Sequence, residues 1–233
     1  MTNPPTPGPN QRATVNQGSE GDLHPREPEA FAFDAESEAE IVKQIAKFPP
    51  GRQASAVLPL LFAAQRQMNR DTGSAWVPRI AMDVVAARLG MAPIRVYEVA
   101  TFYLMFNTTP VGKYHLQICT TTPCWLRDSD AVVAACRKFT GIKGWRETSA
   151  DGLFTMTEVE CVGACVNAPI LCVNDDYYED LDAASTEQLL SSLARGEAPP
   201  PGSVIGRQTS APVGGPMTLT TLDNPPAQHQ NAE

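Results

Sequence analysis

Between Asp34 and Phe106 apolar residues recur at intervals of three and four, the spacing of one helix face. Ser37-x-x-Glu40 reads as a capping box ahead of Ile41, Ile45 and Phe48, and Pro49-Pro50 stops that helix. A second run, Ala54 to Met68, sets Val57, Leu60, Leu61, Ala64 and Met68 along one side. A third covers Ile80 to Leu89 and ends at Gly90, a residue suited to the left-handed turn that closes a helix. Pro93 suits a first helical turn and opens a fourth run, Ile94 to Phe106. Four short amphipathic helices predict a small bundle over residues 34–108.

Past Pro110 the period falls to two. Tyr114-His115-Leu116-Gln117-Ile118 alternates as a strand, and Ala131 to Phe139 returns to helical spacing. Trp145–Ser149 and Leu153–Val159 flank Ala150-Asp151-Gly152, which predicts a hairpin. Pro169 to Val173 is a further apolar strand, followed by an Asn174-Asp175-Asp176 turn. Ser185 to Leu193 closes as a helix, with Ser185 or Thr186 as its cap and Gly196 as its stop. The order strand, helix, hairpin, strand, helix predicts one compact α/β layer over residues 109–195.

Proline marks the ends. Of 21 prolines, six fall in residues 1–30 and seven in residues 196–233. Segments so rich in Pro, Gly and polar residues bury too little apolar area to offset the entropy of ordering them. Residues 1–33 and 196–233 therefore read as extended tails. The second keeps Val204, Ile205, Met217, Leu219 and Leu222, which suits a segment laid along a partner's surface.

The chain has 233 residues, 18 Lys and Arg against 26 Asp and Glu, and a formal net charge of −8. That balance argues against general binding of nucleic acid or of anionic membrane. No apolar run approaches the ~18–20 residues of a membrane span. The opening MTNPPTPGPN has neither the basic start and apolar centre of a signal peptide nor the Arg-rich pattern of a mitochondrial leader. In a chain read as cytosolic, six cysteines point to metal binding or catalysis before disulfides.

Four of them form two close pairs, Cys119-x4-Cys124 in CTTTPC and Cys161-x3-Cys165 in CVGAC, with 36 residues between the pairs. Each pair follows a strand, so both belong to loops at sheet ends, where scaffolds carry their sites. Two loops with two thiolates each can hold zinc or an iron–sulfur cluster. The C-x2-C knuckles usual for four-cysteine zinc are absent, and the wider gaps suit a [2Fe-2S] core with one pair per iron. Only three histidines are present, which argues against a site needing two imidazoles. Thr120, Thr121 and Thr122 supply hydroxyl and amide donors, and Gly163 and Ala164 let amides approach closely. The plain alternative is two pairs of buried free thiols, since free cysteine packs as a small hydrophobe. Cys136 and Cys172 read as core.

The run VYEVATFYLMFNTTPVGKYHLQICTTTPCWLRDSD, followed by DGLFTMTEVECVGACVNAPILCVNDDYYEDL, resembles the thioredoxin-like [2Fe-2S] ferredoxin subunit of respiratory complex I, the bacterial NADH-quinone oxidoreductase. The resemblance covers about residues 34–222. It implies an α+β, α/β architecture: a helical bundle, then a thioredoxin-like [2Fe-2S] domain, with extended tails. It carries the cluster ligands onto Cys119, Cys124, Cys161 and Cys165. It further implies an electron-transfer subunit of the NADH:quinone oxidoreductase, a translocase of the respiratory chain, which does not turn over alone. The cluster exchanges electrons with FMN on the partner subunit that binds NADH. Cofactors are thus one [2Fe-2S] cluster here, with FMN and NADH on the partner, in keeping with the lack of a GxGxxG fingerprint in this chain. The implied location is the cytoplasmic face of a bacterial inner membrane, reached through other subunits, with the mitochondrial matrix side as the alternative. The matching subunit of an NAD-linked hydrogenase or formate dehydrogenase shares these features.

One departure stands out. The family usually reads LRGS after the second cysteine, where this chain has Leu126-Arg127-Asp128-Ser129. Asp128 either caps the next helix or adds a carboxylate that lowers the cluster potential. Two readings from other classes also exist. Met82 to Gly90 followed by Pro93 to Val99 has the outline of a helix-turn-helix, as in an iron–sulfur regulator, but Arg95 is the lone early base and the chain is acidic. A thiol enzyme would want the C-x-x-C pair that is missing. His115 reads as a satisfied strand residue, and Lys113 and Arg127 as solvated cations or as offsets to cluster charge. Tyr177-Tyr178-Glu179-Asp180 reads as a solvated turn or a partner contact.

Overall fold

The computed structural model describes residues 24–215 together with 217 and 218. The expectations placed on residues 1–23 and on Leu219 and Leu222 lie outside them.

The first helix, α1 (Ala35–Ala46), is capped by Asp34, whose carboxylate accepts from the Ser37 amide at 2.7 Å. Ser37 is thus the third helical residue and not the cap, because Asp34 also gains Arg70 at 2.8 Å and offers the stronger acceptor. A turn of 3-10 helix (Gln53–Ala56) leads into α2 (Val57–Thr72), which ends at Gly73 with φ 73°. Next come α3 (Arg79–Leu89), closed by Gly90 at φ 64°, and α4 (Pro93–Phe102). The fourth helix stops four residues short of the expected Phe106. Tyr103 turns extended (φ −87°, ψ 118°), which lets buried Phe106 fold back against Phe62 with ring centroids 4.9 Å apart. Ile41, Leu60, Leu61, Val77, Val85 and Val96 lie at the centre of the bundle. Phe31 and Phe33, read as tail, pack against the same core.

The second half is a six-stranded mixed sheet in the order β2-β3-β1-β4-β5-β6. Its strands are β1 (Tyr114–Cys119), β2 (Glu147–Thr148), β3 (Phe154–Val159), β4 (Leu171–Val173), β5 (Asp176–Glu179) and β6 (Gly202–Ser203). β1 runs parallel to β3, with Cys119 opposite Val159, and antiparallel to β4. The hairpin forms as read, though its first strand shrinks to two residues. Helices α5 (Thr122–Leu126) and α6 (Ser129–Thr140) occupy the crossover from β1, and α7 (Ala183–Ala194) follows β5. The cap of α7 is Asp182, in a reciprocal box with Ser185, one turn earlier than expected. Leu116, Ile118, Val132, Met156, Leu171 and Leu190 form the core between sheet and helices.

Two further readings change. Tyr177-Tyr178-Glu179-Asp180 is mainly strand, with only Asp180 (φ 56°) turning away. The segment after Gly196 is extended, but it lies along its own sheet. β6 pairs parallel to β5, and Arg207 makes two hydrogen bonds to Asp180, at 2.9 and 3.1 Å. Gly112, just before β1, is required sterically. A Cβ there would sit 2.9 Å from the Phe154 carbonyl carbon and 3.0 Å from the Gly152 oxygen, both backbone.

Candidate metal centre

Both cysteine loops leave the same end of the sheet, because β1 and β3 are parallel neighbours in register. Cys119 is the last residue of β1 and donates its amide to the Ile170 carbonyl at 3.2 Å. Thr120 and Thr121 then carry the chain into α5, a helix opened by Pro123 that holds Cys124. The second loop leaves β3 at Val159, turns through Gly163 at φ 87°, and enters a short 3-10 turn at Cys165.

The thiols come together as two pairs. Cys161 Sγ and Cys165 Sγ lie 3.2 Å apart, and Cys119 lies within hydrogen-bond reach of Cys124. Thr121 joins the loops. Its hydroxyl is 3.2 Å from Cys119 Sγ and also within reach of Cys161. Cys119 and Cys124 are 2% and 1% exposed and share an apolar pocket with Ala168, Ile170 and Cys172. Cys161 is exposed and Cys165 half-buried. The first pair is therefore walled in, and the second forms the outer rim.

Protonation follows that layout. Burial, with the neighbouring Cys119 thiol next, pushes Cys124 up to about 12, against the Ile170 amide that favours its thiolate. The Gly163 amide, followed by the Cys165 thiol, holds Cys161 below its ordinary value. Its partner Cys165 moves the other way, raised first by the Cys161 thiol, then by burial and by the charges of Cys161 and Cys119. A buried thiol gives up its proton readily only to a cation that takes its place. Two thiol pairs at one sheet end, with Gly163 and Ile170 amides and a Thr121 hydroxyl directed at sulfur, fit an iron–sulfur group. Among the described residues no group of three or more His, Cys, Asp or Glu is arranged to hold a single metal ion.

Other candidates fall elsewhere. Cys136 is fully buried on α6, and burial alone raises it to about 12. Cys172 is buried as read, but beside Cys119 and Cys124 and not in the sheet core. Lys113 sits at the opposite end of β1 from Cys119, over the Tyr114 ring, and so offsets no charge at the thiols. Arg127 is exposed. Asp128 stands at the cap position of α6 but makes no side-chain cap bond, and its backbone is left-handed (φ 67°) instead of the extended conformation a capping residue takes. That backbone is also why glycine suits the position. His115 is satisfied by Thr157 and Asn107, and Arg95 is paired with Glu98. Sequence reasoning missed Thr121 as the link between loops and the Tyr177 hydroxyl at the Val162 carbonyl. Their partners lie some 40 and 15 residues away, and no local signal marks such pairs.

Comparison with known proteins bears on the same residues. A family model described as thioredoxin-like [2Fe-2S] ferredoxin matches residues 41–194. An NADH-quinone oxidoreductase subunit of Rickettsia typhi is 52% identical over 160 residues, 69% of this chain and 91% of that protein. The mitochondrial NADH dehydrogenase [ubiquinone] flavoprotein 2 of Dictyostelium discoideum is 45% identical over 197 residues, 84% of this chain and 76% of that protein. Among solved structures, an NAD+-reducing [NiFe]-hydrogenase in the H2-reduced state aligns with TM-score 0.49 and 20% identity, over 60% of this chain and 23% of that one. With a family model across most of its length and relatives near half identity, the chain belongs to the thioredoxin-like [2Fe-2S] ferredoxin family, whose single [2Fe-2S] cluster suits the thiol set found here.

Proposed function

We propose that Cys119, Cys124, Cys161 and Cys165 hold one [2Fe-2S] cluster, one pair to each iron. The chain then works as the electron-transfer subunit of an NADH:quinone oxidoreductase and does not turn over alone. The meeting of two thiol pairs at one sheet end carries this reading. The names of relatives at 45–52% identity favour the quinone oxidoreductase over an NAD-linked hydrogenase or formate dehydrogenase. When bound, the cluster supplies a one-electron acceptor and donor.

The protein's own contribution is shielding on one side and access on the other. Cys119 and Cys124 are closed in by Ile170 and Ala168, which keeps water from the inner pair. On the surface beside the pairs, Trp125 and Leu126 follow Cys124 and Val166 follows Cys165, three exposed apolar side chains that suit burial under a partner. We assign that face to the subunit that binds NADH and FMN, so that electrons pass through the Cys161 and Cys165 side. No helix among the described residues is long and apolar enough to cross a membrane. Attachment through other subunits, on the cytoplasmic face in a bacterium, follows from the assignment.

The test is anaerobic iron and sulfide analysis with EPR before and after dithionite, on wild type and on each of the four Cys→Ser variants. About two irons per chain, with a signal only after reduction and altered in each variant, is the expected result. Zinc without iron would refute the redox role and leave the thiols a structural clip. Reduction by NADH only when the flavoprotein is present would identify the partner.

A further inference from the structure

β5 carries two adjacent tyrosines whose hydroxyls have different partners. Tyr178 is buried and donates to the Pro199 carbonyl at 2.9 Å, where the chain runs toward β6. Tyr177 is 37% exposed, pairs across the sheet with Cys172, and donates to the Val162 carbonyl at 3.2 Å. Val162 directly follows Cys161 in the loop that ends at Cys165. Among the described residues, that hydroxyl is the partner of the Val162 carbonyl. The loop itself is exposed around Cys161 and turns on a glycine at φ 87°, so its own backbone restrains it little. The phenol also lies within hydrogen-bond reach of the Cys172 thiol, and Cys172 shares a pocket with Cys119 and Cys124. One side chain therefore touches the outer cysteine loop and a neighbour of the inner pair.

We propose that Tyr177 is a positioning residue for the cluster: its hydroxyl pins the Val162 carbonyl and fixes the Cys161–Cys165 loop against β5, the strand paired with the one that carries Cys172. The inference rests on the ligand assignment above. Contacts of this outer kind orient ligands and govern how readily they let go of a metal. Tyr177 itself touches no sulfur assigned to iron; it acts through the loop.

The adjacent tyrosine supplies the control. Tyr177→Phe and Tyr178→Phe each delete one hydroxyl and its bond to a carbonyl from the same strand; only the first bond reaches a cysteine loop, and Tyr177→Phe also removes the contact with the Cys172 thiol. Full-length cluster-bearing protein would be followed for iron release to a chromogenic chelator and for the EPR g-values of the reduced state. Tyr177→Phe is expected to release iron about fivefold faster, the factor one lost hydrogen bond allows an opening equilibrium, with shifted g-values. Tyr178→Phe is expected to match wild type in both. Equal release rates and identical spectra for Tyr177→Phe and wild type would overturn the proposal. So would matching acceleration in both variants, which would make the effect one of strand stability. Wild type without iron would overturn the ligand assignment and this inference with it, whereas wild type with iron and an indifferent Tyr177→Phe overturns this inference alone.

Discussion

Lowering the pH from 7 to 5 tests the environment of His115 directly. The imidazole is buried on β1, with Nε2 at 2.8 Å from the Thr157 hydroxyl and Nδ1 at 3.3 Å from the Asn107 amide nitrogen. Asn107 Nδ2 is a donor, as its bond to the Ala75 carbonyl confirms. Nδ1 must therefore accept and Nε2–H must donate, which makes the ring neutral. A proton added at Nδ1 would face the Asn107 donor at a buried position. Burial first, and the Arg146 charge second, lower the His115 pKa from 6.5 to about 4. Because the folded value lies below the unfolded one, the stabilisation is complete above about pH 6.5 and is lost as pH falls toward about 4. At 1.36 kcal/mol per pH unit the whole effect is about 3 kcal/mol, of which about 2 kcal/mol is gone at pH 5. Urea unfolding of wild type and His115→Gln at both pH values isolates it, since every carboxylate contributes equally to the two proteins. Wild type should lose about 2 kcal/mol more than the variant between pH 7 and 5. Its His115 ring resonances should stay flat over the same range. A ring titrating near the ordinary histidine value, or equal pH sensitivity in both proteins, would refute the reasoning.

Three other perturbations have defined outcomes. Asp128→Gly removes a side chain from a left-handed residue that makes no cap bond, so it should stabilise the protein by about 0.5–1 kcal/mol in urea. Asp128 is exposed, and solvent screens its charge, so the cluster potential should be unchanged; a higher potential in the variant would restore an electrostatic role. Gly112→Ala forces a Cβ into the backbone of Gly152 and Phe154 and should cost about 1–3 kcal/mol, since neither neighbour can swing aside. Arg207→Ala leaves the Asp180 carboxylate buried without its cation. It should cost about 3 kcal/mol and expose residues 199–211 to proteolysis, whereas unchanged cleavage would show that the segment is held by other contacts.

The parts of this molecule that announce themselves in sequence are those built on a period or on a rare residue. The bundle helices are legible because Val57, Leu60, Leu61 and Ala64 repeat along a face, and β1 because Tyr114 to Ile118 alternate. The cysteine pairs are legible because two thiols after a strand have few other uses. Elements without a period are hidden. The five residues of α5 show none, and β5 begins at Asp176, inside what reads as a turn. Caps slip by a turn where two acceptors compete, as Asp34 does with Ser37 and Asp182 with Ser185. The pairing of Thr121 with both cysteine loops depends on strand order, which local pattern does not encode. Pattern left zinc and an iron–sulfur cluster both open for the two pairs, and the resemblance is what implies a single [2Fe-2S] group there.

The parallel pairing of β1 and β3 has a consequence for how such a site tolerates change. Cys119 and Val159 are aligned as neighbours, so the two cysteine loops start side by side whatever the chain does in between. The 36 residues separating Cys124 from Cys161 form a detour through α6 and the β2 hairpin that begins and ends at fixed points. A detour of any length that returns to Val159 beside Cys119 leaves both endpoints in register, whereas one residue added within either pair moves a sulfur directly. The spacing inside each pair is thus a chemical dimension of the site, and the spacing between them is only slack.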